Sequence, residues 1–139
     1  MQIAARLQEM GYVGHFDIDT IVDDEGRIFL VEINARRTGG THVHEFAYHY
    51  LGPDYLDKFV LLGNDSIDSG SIIDYNELMH AIGDLLFPMP GQQQGVVITV
   101  TSALEAHEFG CIAIAESTEQ ALALHRTLAE RVRNASRRT

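Results

Sequence analysis

The stretch from Gly11 to His42, GYVGHFDIDTIVDDEGRIFLVEINARRTGGTH, constrains this chain more than any other. Two runs of alternating apolar and polar residues flank an acidic turn, which is the pattern of an antiparallel hairpin. The first run, 16–22, carries Phe16, Ile18 and Val22 with Asp17 and Asp19 between them. Asp23-Asp24-Glu25-Gly26 supplies turn chemistry, and Gly26 is the residue suited to positive φ. The second run, 27–34, is expected to set Phe29, Val31 and Ile33 on one face and Leu30, Glu32 and Asn34 on the other. Glu32 and Asn34 then project side by side, about 6.6 Å apart along the strand. An antiparallel partner brings Asp19 beside them. Two carboxylates and an amide oxygen on one face form a hard-oxygen set suited to Mg²⁺.

The plain alternative is a solvated polar face, common in half-exposed sheets. Two features weigh against it. Asn is a poor strand former, and the strand runs directly into Arg36-Arg37-Thr38-Gly39-Gly40-Thr41, a basic stretch rich in backbone donors that suits an anion.

Asp19, Glu32 thirteen residues on, then Asn34 and Arg36 resemble the metal-binding end of the ATP-grasp ligases. The familiar Asn-Pro-Arg continuation is Asn34-Ala35-Arg36 here, with the arginine kept and the proline absent. The run from Arg37 to His42 is similar to the glycine loop of the peptide and amino-acid ligases in that superfamily. The resemblance covers residues 11–52, and more weakly 95–133. It implies Mg²⁺ held by Asp19, Glu32 and Asn34, ATP, and a catalytic Arg36 at the transferring phosphoryl group. It further implies that Arg36, Arg37, Gly39, Gly40, Thr41 and His42 line the nucleotide and acceptor site. The implied substrates are a small carboxylate and an amine, joined through an acyl-phosphate.

One half of such an enzyme has no counterpart in this sequence. Lys58 is the only lysine and follows the metal strands, and no glycine-rich loop precedes Asp19. The expectation is therefore a C-terminal portion working with a separate nucleotide-gripping half. The alternative is a non-catalytic domain that keeps the scaffold for binding or for pairing as a homodimer.

Charge and composition narrow the classes further. Twenty acidic against ten basic residues give a formal charge of −10, which argues against nucleic acid as a partner. Five of the ten basic residues follow position 125, where they suit the C-terminal end of a helix. The lone Cys111 forms no internal disulfide and points to a reducing cytoplasm, and its apolar neighbours mark it as a core thiol. No apolar run is long enough for a membrane span.

Other metal chemistries fit poorly. His44 and His49 stand five residues apart, about 500° around a helix, and so miss the shared face of a zinc-protease pair. A cupin-like centre needs an all-β chain and residues between its second histidine and its acid; His44 and Glu45 are adjacent.

The expected class is α+β, an antiparallel sheet with flanking helices. Residues 1–90 are expected to form a metal-binding subdomain and 91–139 a strand–strand–helix module packed on it, with a single compact domain as the alternative. Helices are expected over 1–10, 41–51, 54–62 and from Asp74 or Asn76 to about 86, with strands at 95–102 and 109–115. Residues 64–70 read as a solvated loop. Ser117 and Gln120 form the capping pattern of a final helix.

Overall fold

The computed structural model describes residues 2–87 and 93–137. The fold is α+β, with two small antiparallel sheets, and the chain divides into two compact units, Met1–Phe46 and Ala47–Thr139.

The first unit contains α1 (Gln2–Glu9), β1 (Asp17–Val22), β2 (Ile28–Asn34) and the start of α2 (Thr41–Leu51). Gly11 ends α1 with φ +82°, and the Tyr12 N–H donates to the Leu7 carbonyl at 2.9 Å. β1 and β2 pair as the expected hairpin, and Asp23 builds its turn. One Asp23 oxygen accepts from the backbone N–H of Glu25 at 3.0 Å and of Arg27 at 2.9 Å, and the other from Arg27 Nε at 2.7 Å. Gly26 has φ +78° and open space where a Cβ would sit. Gly26→Ala therefore carries only the backbone penalty, about 1 kcal/mol, read as a lower denaturation midpoint of the hairpin.

The Arg27 backbone N–H, then its guanidinium, hold the Asp23 carboxyl below the usual carboxylate range. The folded turn binds this proton less readily than the unfolded chain does, so its contribution is complete above the ordinary Asp value and disappears as pH falls through the depressed one. The protection of the Arg27 amide against hydrogen exchange, relative to the unfolded chain at the same pH, should fall below about pH 4 and stay level above it.

A bulge between Asp19 and Thr20 changes one expectation. Asp19 opposes Glu32, but Thr20 opposes Leu30, so Val31 is the extra residue. Phe29 opposes Ile21 and joins the Glu32 and Asn34 face, whereas Leu30 joins Ile18 and Ile33. Strict alternation from residue 27 to 34 would have placed Leu30 with Glu32 and Phe29 with Ile33. One inserted residue inverts every side chain beyond it.

The second unit holds β3 (Val60–Asp68), α3 (Tyr75–Ile82), β4 (Gly95–Ile98), β5 (Glu108–Ala115) and α4 (Thr118–Ser136). The sheet order is β3-β5-β4, all antiparallel, with α3 and α4 contributing to its core. The core cluster joins Ile67, Ile72, Leu78, Phe109, Leu128 and Val132, among others. Asp74 caps α3 by accepting from the Asn76 and Glu77 N–H groups, and Ser117 caps α4 by accepting from Gln120.

Two expected elements change type, and the strand expected over 95–102 is confined to Gly95–Ile98. The helix over 54–62 is a single turn, Tyr55–Asp57, whose N-cap Asp54 makes no side-chain capping bond. Val60, Leu61 and Leu62 instead pair with Ala115, Ile114 and Ala113. The expected loop 64–70 is mostly strand as well. Its polar residues occupy a register shift between Asn64 and Ile67, where Asn64 Oδ1 accepts from the Ser66 N–H at 3.0 Å. Ile67 is then buried opposite Phe109. A division at 90/91 would cut β3 from β5.

Cys111 lies within β5 and is fully buried; burial, with Asp65 adding to it, pushes its thiol up to about 12. A thiolate nucleophile is thereby removed at neutral pH, as the core-thiol reading expects. Among the described residues no helix is long and apolar enough to cross a membrane.

Candidate functional site

The open end of the hairpin brings together Asp19, Glu32, Asn34 and Arg36, while Arg37, Gly39, Gly40, Thr41 and His42 follow in the loop and helix start after β2. Asp17 opposes Asn34 and Asp19 opposes Glu32, so all four share one face. Asn34 Nδ2 donates to Asp19 Oδ2 at 3.2 Å, and Arg36 Nη2 donates to Asn34 Oδ1 at 3.1 Å. The amide thus links a carboxylate to a guanidinium. Arg36 Nη1 also donates to the Arg37 carbonyl at 3.2 Å, which folds the guanidinium back over the strand end.

Among the described residues no group of three or more His, Cys, Asp or Glu side chains could hold a metal ion. The set is an open one, two carboxylates and an amide whose oxygen is engaged by Arg36. That fits the habit of Mg²⁺, which takes one or two carboxylates and fills its remaining positions with water and phosphate oxygens. It does not fit Zn²⁺, which favours closed nitrogen and sulfur sets.

The loop after β2 is held at both ends. The Thr41 N–H donates to the Thr38 carbonyl at 3.0 Å, and the Thr38 N–H donates back to Thr41 Oγ1 at 3.0 Å. This closes a turn around Gly39 and Gly40, with the Thr41 hydroxyl tying the first residue of α2 back to the loop. Arg37 Nη2 donates to Glu45 Oε1 at 3.2 Å, and the same oxygen lies 3.3 Å from His15 Nε2. The His15 and His44 rings meet edge-on at 6.0 Å. His42 is half-buried in the first turn of α2.

Three residues here were not in the sequence-based set. Asp17 and His15 share the parity of Asp19, and that regularity was the available signal. Glu45 had none, because its partners lie 8 and 30 residues away.

A cavity of about 450 Å³ in the second unit is bordered by Asp84, Gln93, Gln94, Glu116 and Gln120. None of the sequence-predicted residues lines it, and the Asp84 carboxylate is taken by Arg131. No protein-family model and no curated protein matches the chain.

Proposed function

We propose that the chain is the metal-binding portion of an ATP-dependent carboxylate–amine ligase, forming an amide or peptide bond through an acyl-phosphate. One observation carries the reading: Asp19 and Glu32 stand opposite each other on an exposed face, with Asn34 bridging Asp19 to Arg36. Asp19 and Glu32 would hold Mg²⁺, with the Asn34 amide oxygen as a third donor. Bound there with ATP, the ion supplies neutralisation of the charge spread over the phosphoryl group in transfer. Arg36, which here holds Asn34 Oδ1, would supply a second cation beside the same charge. Arg37, Gly39, Gly40, Thr41 and His42 shape the acceptor pocket, and Glu45 steadies Arg37 at its rim. The chemistry uses no serine or cysteine nucleophile. The lysines and glycine-rich loop that grip ATP come from a complementing half, in a cytoplasmic setting.

The test mixes the chain with the nucleotide-gripping half of an ATP-grasp peptide ligase and measures ADP release with a panel of amino acids. Amino-acid-dependent release supports the reading; none, in a mixture shown to bind, counts against it. A second reading, a non-catalytic binding domain on the same scaffold, is favoured by the Arg36 bond, which occupies the amide oxygen the ligase reading needs. Mn–ATP binding without turnover is its expected signature.

A further inference from the structure

Another cavity in the second unit, of about 350 Å³, lies between the end of β3 and the last turns of α4. Its lining carries both signs of charge, Asp68 on the strand and Arg133 and Arg137 at the helix end, beside the apolar Ile67. The two arginines stand four residues apart, the spacing of neighbours on a helix surface. Among the described residues neither guanidinium is paired with a carboxylate. In a chain with twenty acidic residues against ten basic ones, two open guanidiniums at one cavity are the exception. Asp68 commits one oxygen, Oδ1, which accepts from the Gly70 N–H at 2.8 Å. The frame between strand and helix is pinned. The Ser71 N–H donates to Ser136 Oγ at 2.7 Å, and the Ser71 hydroxyl donates to the Ser136 carbonyl at 2.8 Å. Gly70, with φ +60°, permits this close approach, since a Cβ there would collide with Ser136.

We infer that this cavity binds a free α-amino acid, with its carboxylate at Arg133 and Arg137 and its ammonium at Asp68. Charge decides the class. A guanidinium presents a fork of donors that matches a carboxylate. A phosphate has no positive group, so Asp68 and the carbonyl end of α4 both repel it. An amine without a carboxylate meets two like charges. A zwitterion satisfies all three side chains, and its ammonium also suits the negative pole of the helix. Size agrees, because small-molecule pockets run from about 300 to 1,000 Å³ and this one lies near the lower end. Ile67 offers an apolar contact to the ligand's side chain. Exposed charge contacts are individually weak, which sets a Kd on the order of a millimolar. Every residue involved belongs to the second unit, so the inference does not depend on the ligase reading.

The test titrates the whole isotope-labelled chain with L-alanine, L-valine and L-leucine in turn, from about 0.1 to 20 mM around that Kd. Nuclear magnetic resonance follows the backbone amides and the arginine Nε–H groups. Saturable shifts at Gly70, Arg133 and Arg137 are expected with at least one of the three. Isovalerate (valine without its ammonium), isobutylamine (valine without its carboxylate) and inorganic phosphate should each bind at least about fivefold more weakly than that amino acid. Arg133→Gln with Arg137→Gln should weaken the amino acid by about tenfold or more, and circular dichroism checks the fold. Asp68→Asn keeps an oxygen that can accept from Gly70. It should weaken the amino acid severalfold yet strengthen isovalerate, a crossover that a merely structural role would not give. No saturable shift with any of the three, phosphate or isovalerate binding as tightly as the amino acid, or a double arginine variant that binds as the parent does overturns the inference.

Discussion

Replacing Asp19 and Glu32 together by alanine is expected to lower the affinity for Mn²⁺, used as a spectroscopic stand-in for Mg²⁺, by at least about a hundredfold, since affinity at oxygen sites tracks the number of charged ligands. Either substitution alone should cost roughly tenfold on the same grounds. The fold should survive. Both side chains are exposed and directly opposed on neighbouring strands, where like charges disfavour pairing. Electron paramagnetic resonance of free Mn²⁺ gives the affinity, and circular dichroism a melting temperature expected to move by no more than a few degrees. If the double variant binds as the parent does, the ion does not sit on this face.

Phe109→Ala is expected to have the largest effect on folding, a loss of about 3–5 kcal/mol. The ring is fully buried, on the central strand, in the cluster with Ile67, Leu78 and Leu128. Set against the 5–15 kcal/mol typical of a folded domain, this brings the second unit close to unfolding at room temperature. Urea denaturation followed by far-ultraviolet circular dichroism measures it. A loss under about 1 kcal/mol would move the centre of that core elsewhere, because a fully buried Phe truncation leaves a void the surroundings fill only in part.

How much of this was legible in the sequence depends on how local the deciding interaction is. The turn at Asp23–Gly26, the caps at Asp74 and Ser117, and the apolar strand at Phe109–Ala115 are short-range patterns, and each stands where it was read. The opposition of Asp19 to Glu32 was also legible, because the bulge falls just beyond that pair. The face of Leu30 and Phe29 was not, since nothing in FLVE announces an extra residue. β3 was hidden for a similar reason. Leu61 and Leu62 suit a helix or a strand equally, and the polar residues 64–66 suggest a loop until pairing with β5 decides the matter. Glu45 gathers His15 and Arg37 through contacts that only the folded hairpin creates.

The middle position of β5 has a consequence for synthesis. Val60 finds its partner in Ala115, 55 residues later, and β4 pairs with the same late strand. At 5–20 residues per second, the first strand leaves the ribosome roughly 3–11 seconds before the segment that completes its ladder. Through that interval a nascent chain carries Val60, Leu61 and Leu62 unpaired, and it is then that a holding chaperone would have most to protect.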